Sequence, residues 1–326
     1  MKNKLWLTSV WLFVYSSIFP SQLLATDFNT LASTKQSTRL AFNQIQNVGD
    51  NVHKLTERNT CNKISDEQIQ ANNYQLWLNR GINLQQLKKY RESILCFDRA
   101  LLIEPNLASA WLRRGISLSH LKKYQSAALA YERALQLNPN DYISWYNQAN
   151  TLRKLGKFKL ALTAYEQVIK IKPEEYLPWY DHGKTLEKIG KYEQAIASYQ
   201  QTLNIEPDYY LAWYSQGNLL TQLKRYQAAI IAYQKVVKIK PEEYLAWYNQ
   251  GNLFLTLKQY QQAIAAYNQA LLINPKYEQA WNNRGAAFEG LKQTKQALES
   301  YNQALQINPN YQTPLNNRHR LLTQRK

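Results

Sequence analysis

Seven tryptophans, Trp77, Trp111, Trp145, Trp179, Trp213, Trp247 and Trp281, follow one another at a constant interval of 34 residues, with no insertion or deletion between them. The same interval relates Pro105, Pro139, Pro173, Pro207, Pro241, Pro275 and Pro309, and the aromatic series Phe97, Tyr131, Tyr165, Tyr199, Tyr233, Tyr267 and Tyr301. A period of this length marks stacked supersecondary units, each too small to bury its apolar face alone. It displaces the two-domain expectation that length by itself would suggest.

Residues 210–243 show what one unit is. Trp213, Gly217 and Leu220 are spaced i, i+4, i+7, and so are Ala229, Tyr233 and Val236, which puts each trio on one face of a helix. Two amphipathic helices of roughly fourteen residues, about 20 Å long, are predicted, joined by a turn at Leu223–Lys224–Arg225–Tyr226. Pro241 stops the second helix, since it has no N–H to donate and restricts its predecessor. Gly217 and Ala229 are small where two helices cross closely, and Trp213 is expected to fill the space beside that crossing.

The sequence of Trp, a small residue, an aromatic with a neighbouring Ala, and a closing Pro resembles the tetratricopeptide-repeat (TPR) family over residues 74–311. The resemblance implies an all-α, right-handed α-solenoid of seven TPR helical hairpins, at 74–107, 108–141, 142–175, 176–209, 210–243, 244–277 and 278–311, with a C-terminal capping helix at 312–326. Leu315 holds the Trp position of that cap. Ala149 in place of the first-helix Gly and Ser93 in place of the second-helix Ala are mild departures. The segment KIKPEEYLPWY at 170–180 recurs as KIKPEEYLAWY at 238–248, which points to duplication of a pair of repeats.

The first 25 residues read differently. Lys2 and Lys4 precede an apolar run from Leu5 to Phe19, and Pro20 to Ala25 follow as a cleavage region, the pattern of a signal peptide. An uncleaved N-terminal membrane anchor is the other reading of a run this long, although spanning a bilayer takes about 20 apolar residues. Either places the repeats beyond the cytoplasmic membrane, in the periplasm or tethered outside. Residues 26–73 are a polar spacer, in which Ala41, Ile45, Val48, Val52 and Leu55 allow one short amphipathic helix. Cys61 and Cys96 could pair in an oxidising compartment. Cys96 also fits as a small buried apolar group, because its position carries only Ala or Ser in the other repeats.

Catalytic and metal-binding patterns are missing from the sequence. His53, His120, His182 and His319 are scattered without ligand spacing, and no phosphate-cradling loop or nucleophile elbow occurs. No enzyme activity and no cofactor are expected. The net charge of +17 includes a base in each hairpin turn, among them Lys88, Lys122, Lys157, Lys191, Lys224, Lys258 and Lys292. Stacking aligns these along one edge, where they would attract acidic proteins or an anionic membrane surface. Export disfavours nucleic acid as the partner.

The opposite face of the first helix is more informative. Residues two before the Trp and two, five and nine after it lie about 140 to 200° from it at 100° per residue, a face that lines the concave groove in TPR proteins. Two residues after the successive tryptophans stand Asn79, Arg113, Asn147, Asp181, Ser215, Asn249 and Asn283, and three further on stand Asn150, Asn218 and Asn252. Amides offer both donor and acceptor, which matches a peptide backbone of any sequence. Tyr146, Tyr180, Tyr214 and Tyr248 flank the row, with Ile143, Leu177, Leu211 and Leu245 before them. They serve either as a binding wall or as packing between successive first helices. The row resembles the asparagine ladder of O-linked N-acetylglucosamine transferases, from which Arg113, Asp181 and Ser215 depart. It lacks the cations of the carboxylate clamp found in heat-shock-protein co-chaperones. The expected function is a scaffold that holds an extended or disordered polypeptide in the groove. The alternative is an adaptor that docks its basic edge on an acidic protein or membrane.

Overall fold

The computed structural model describes residues 73–323; the export segment, most of the spacer, Cys61 and the last three residues of the cap lie outside the described residues. Fifteen α-helices and no strand occur among them. The chain divides into two compact units between residues 173 and 174. The first unit holds three hairpins: α1 (Tyr74–Gln86) with α2 (Tyr90–Ile103), α3 (Ala108–His120) with α4 (Tyr124–Leu137), and α5 (Tyr142–Lys154) with α6 (Phe158–Ile171). The second holds four: α7 (Tyr176–Lys188) with α8 (Tyr192–Ile205), α9 (Tyr210–Gln222) with α10 (Tyr226–Ile239), α11 (Tyr244–Thr256) with α12 (Tyr260–Ile273), and α13 (Glu278–Gly290) with α14 (Thr294–Ile307). A last helix, α15 (Gln312–Thr323), packs on α14 and buries Pro314 and Leu321.

Each hairpin closes through the same backbone device. In the first, Lys88 N–H donates to the Gln85 carbonyl and Lys89 N–H to the Leu84 carbonyl, which satisfies carbonyls the helix leaves open. This requires a left-handed residue. Lys88, Lys122, Lys224, Lys258 and Lys292 adopt it with φ near 60°, and Gly156 and Gly190 with φ of 72° and 77°. Only glycine reaches that region without steric penalty. Pro178 sits in the first turn of α7, where the missing N–H is an orphan anyway.

The small first-helix residue meets the second-helix aromatic directly, and the tryptophan expected beside the crossing packs at the margin of that contact, as Trp213 does. A Cβ added at Gly81 would lie 2.5 Å from the Phe97 ring, at Gly251 2.6 Å from Tyr267, and at Gly217 3.0 Å from Tyr233. Those rings are fully or almost fully buried. The tryptophans lie further out, mostly half-buried, and the indole N–H reaches back to the preceding proline carbonyl. Trp111 bonds Pro105 at 2.9 Å, Trp145 bonds Pro139 at 2.8 Å and Trp247 bonds Pro241 at 3.0 Å. Each of these tryptophans thereby ties its hairpin to the end of the one before. Of the two readings of Cys96, the structure has the paired one: the residue is completely buried and disulfide-bonded rather than a plain small thiol.

Candidate functional site

Helices α9, α10 and α11 surround a cavity of about 330 Å³ lined by Asn218, Thr221, Tyr226, Tyr233, Asn249, Asn252, Leu253 and Thr256. Three of these are amides of the polar first-helix face. Their orientation is set by tyrosines. Tyr233 donates its hydroxyl to Asn218 Oδ1 at 2.7 Å, and Tyr267 donates to Asn252 Oδ1 at 2.8 Å. Both hydroxyls come from the second helix, through the thickness of the hairpin. Asn249 Nδ2 donates to the Tyr214 hydroxyl of the preceding repeat at 3.1 Å. One repeat on, Asn283 Nδ2 donates to the Tyr248 hydroxyl at 3.2 Å and to Asn252 Oδ1 at 2.9 Å. An amide has two donors and two acceptors, so these bonds fix the side chains and still leave capacity for a ligand. Burial pushes the Tyr233 hydroxyl up to about 12 and raises that of Tyr214 as well, so both remain protonated donors or acceptors at neutral pH.

In the first unit the arrangement is partly repeated. Asn150 Oδ1 accepts from Tyr165 at 2.7 Å and from Arg153 at 3.1 Å. Asn147 instead turns back to its own helix and donates to the Ile143 carbonyl at 2.8 Å. Asn79 is exposed and accepts from Gln75 at 3.3 Å. Arg113 is half-buried and directed at Gln85 Oε1 at 3.5 Å.

Two members of the row do not present themselves to solvent. Asp181 and Ser215 are only 8% and 6% exposed. Ser215 is close to the Tyr180 hydroxyl of the preceding repeat. The flanking tyrosines are packing elements in the first place: Tyr146 meets Tyr165 at 6.1 Å, Tyr180 meets Tyr199 at 5.6 Å, Tyr214 meets Tyr233 at 5.8 Å and Tyr248 meets Tyr267 at 6.0 Å between ring centroids. They are half-buried, as are Ile143, Leu177 and Leu245, while Leu211 is exposed. Tyr233, Thr221 and Tyr226 line the cavity but were not singled out for it from the sequence. The signal for Tyr233 was the hydroxyl itself, since six of the seven repeats carry Tyr and one carries Phe at this core position.

A larger opening, about 650 Å³, lies elsewhere in the first unit, among α4, α5 and α6, with Leu129, Trp145, Leu152 and Leu160 in its lining. It holds none of the asparagines of the first-helix row. Among the described residues no cluster of three or more His, Cys, Asp or Glu could hold a metal ion, and no helix is long and apolar enough to cross a membrane. His182 is pushed down to about 4 by burial, with Nδ1 2.9 Å from Ser198 Oγ. It is a neutral partner of α8 rather than a proton carrier near pH 7.

Stacked hairpins in strict 34-residue register, with a polar face left on the first helices, define an α-solenoid scaffold for protein partners. Family models of the tetratricopeptide repeat match residues 74–107, 108–141, 142–175, 180–244, 244–277 and 278–311. The chain belongs to that family. Among solved structures it is similar to the C-terminal part of a TPR repeat-containing protein from Cytophaga hutchinsonii, at 16% identity and a TM-score of 0.66, covering 73% of this chain and 98% of that one. It is also similar to YrrB, a TPR protein described as having an unusual peptide-binding site, at 20% identity and a TM-score of 0.54, covering 59% and 99%. MamA aligns at 26% identity with a TM-score of 0.49, covering 52% and 92%. No curated protein matches the chain.

Proposed function

We propose that this chain is a non-catalytic scaffold that holds an extended segment of another polypeptide along its first-helix face. The observation that carries this reading is the cavity bounded by Asn218, Asn249 and Asn252, whose amides are pre-oriented by Tyr233, Tyr214 and Tyr267. Groups fixed before binding lose little rotamer freedom when a ligand arrives, and amides read a backbone regardless of its side chains. YrrB's described peptide-binding site makes the same fold a precedent for the reading.

Export supports a setting for this activity. Lys2 and Lys4 ahead of the apolar run to Phe19 have the form of an export signal, and the disulfide at Cys96 suits an oxidising compartment. A reporter active only outside the cytoplasm, fused after Lys326, is expected to be active; activity of a cytoplasmic reporter alone would remove the export reading.

The alternative, docking through the turn edge, has its own observation: five turns place Lys, not Gly, at a left-handed position, against the local steric preference. Salt separates the two. Capture of the native partner by the groove changes little between low and moderate ionic strength, whereas capture by exposed lysines collapses as charges are screened. Replacing Lys224, Lys258 and Lys292 with Gln leaves groove capture intact and abolishes edge docking.

A further inference from the structure

Two groups of three tyrosines recur two repeats apart. Tyr209 lies 5.0 Å from Tyr176 and 5.1 Å from Tyr180, edge-on to the latter at 86°. Tyr277 lies 5.2 Å from Tyr244 and 4.8 Å from Tyr248, edge-on to both at 79° and 73°. All six rings are half-buried, so part of each stays at the surface. Negative charge stands by both groups: Glu206 and Asp181 act on the first, Glu278 on the second.

The intervening repeat shows what such a ring accepts. Tyr210 occupies the position of Tyr176 and Tyr244, one 34-residue step from each. The Lys240 ammonium lies 4.4 Å from its ring centroid, 3.0 Å from its hydroxyl and 3.4 Å from Glu243. In the first unit, Lys172 stands 5.8 Å from the equivalent Tyr142 ring. Where Lys240 would recur, the triad repeats carry Glu206 and Asn274, and each adds a third tyrosine. The ring that holds the chain's own lysine in one repeat is thus presented without it in the next.

We propose that the Tyr176–Tyr180–Tyr209 and Tyr244–Tyr248–Tyr277 triads are paired stations for lysine or arginine side chains of the bound polypeptide. The inference rests on the groove reading above and names its ligand: an extended segment with two basic residues. Cations bind aromatic faces through the ring quadrupole, more strongly when partly desolvated, and the adjacent carboxylates add a local attraction. Neighbouring first helices stand roughly 10 Å apart, so stations two repeats apart are spanned by about six residues of extended chain. A net charge of +17 repels cationic peptides at long range, so a preference for them reports local geometry and not bulk attraction.

The test uses the full chain and fluorescein-labelled Gly/Ser peptides, read by anisotropy at physiological salt. One peptide carries two arginines about six residues apart, the other alanines at those places. The arginine peptide is expected to bind about tenfold more tightly. Tyr209→Leu with Tyr277→Leu removes that advantage, and Tyr209→Phe with Tyr277→Phe keeps it, because the ring and not the hydroxyl is the acceptor. Circular dichroism verifies that both doubles remain helical. Equal binding of the two peptides overturns the stations and leaves the groove standing; binding of neither overturns both. An arginine advantage that survives Tyr→Leu assigns it to carboxylates alone and also overturns the proposal.

Discussion

Tyr233 and Asn218, fifteen residues apart, are joined by a 2.7 Å hydrogen bond from a core ring to an amide on the opposite helix. The bond couples stability to the binding face, since the group that fills the hairpin core also aims the groove amide. Tyr233→Phe removes the donor and leaves Asn218 Oδ1 turning toward solvent, at a cost of about 1 kcal/mol. Tyr131 offers a contrast: its buried hydroxyl is near Ser119 and Thr151 but has no partner at bonding geometry. Tyr131→Phe should melt at or above the wild-type temperature, and Tyr233→Phe below it, by circular dichroism.

The turn lysines carry backbone strain that glycine relieves. Lys224 has φ of 60° and is exposed, and a non-glycine residue in the left-handed region costs roughly 1 kcal/mol. Lys224→Gly, which copies Gly156 and Gly190, should therefore raise stability by about that amount in urea titrations, whereas Lys224→Val should lower it.

Close hairpin packing forbids a side chain at the small first-helix position. Gly81→Ala would bring a methyl to 2.5 Å from Phe97, and overpacking of this kind costs about 1 to 3 kcal/mol. The natural Ala149 at the equivalent place is accommodated in one cluster with a fully buried Tyr165, in a repeat whose other residues are already built around the methyl. Calorimetry of Gly81→Ala against Gly156→Ala, where nothing lies within 4 Å but φ is 72°, separates crowding from backbone strain.

His182 gives the second unit an acid-sensitive point. Its folded value near 4 lies below the ordinary 6.5, so between these limits the unfolded chain binds a proton that the folded chain refuses. Stability is then full above pH 6.5 and falls as pH drops toward 4, by about 3 kcal/mol at most. His182→Gln should flatten that limb in melting curves taken from pH 7 to pH 4. An unchanged limb would place the acid sensitivity elsewhere.

The 34-residue period exposed the hairpins because each repeat keeps every spacing, and Pro241 and its equivalents mark the helix ends. The partner of the small residue was not legible in the same way. Trp213 and Gly217 share one helical face in sequence, but the ring that meets Gly217 is Tyr233, sixteen residues on and across a turn; a single-helix wheel does not contain that relation. The row of polar residues was visible, yet Ser215 is buried and stands close to Tyr180, thirty-five residues earlier in the preceding repeat. Packing between repeats depends on stacking geometry, which alternation within one repeat does not encode.

The most direct measurement is photocrosslinking of the full chain to its native partner, with a photoreactive residue at Asn249 in the amide-lined cavity, at Lys258 on the turn edge, or at exposed Leu160 on the second-helix side. The account predicts a crosslinked polypeptide from position 249 and none from positions 258 and 160. Crosslinking from 258 or 160 with none from 249 would contradict it.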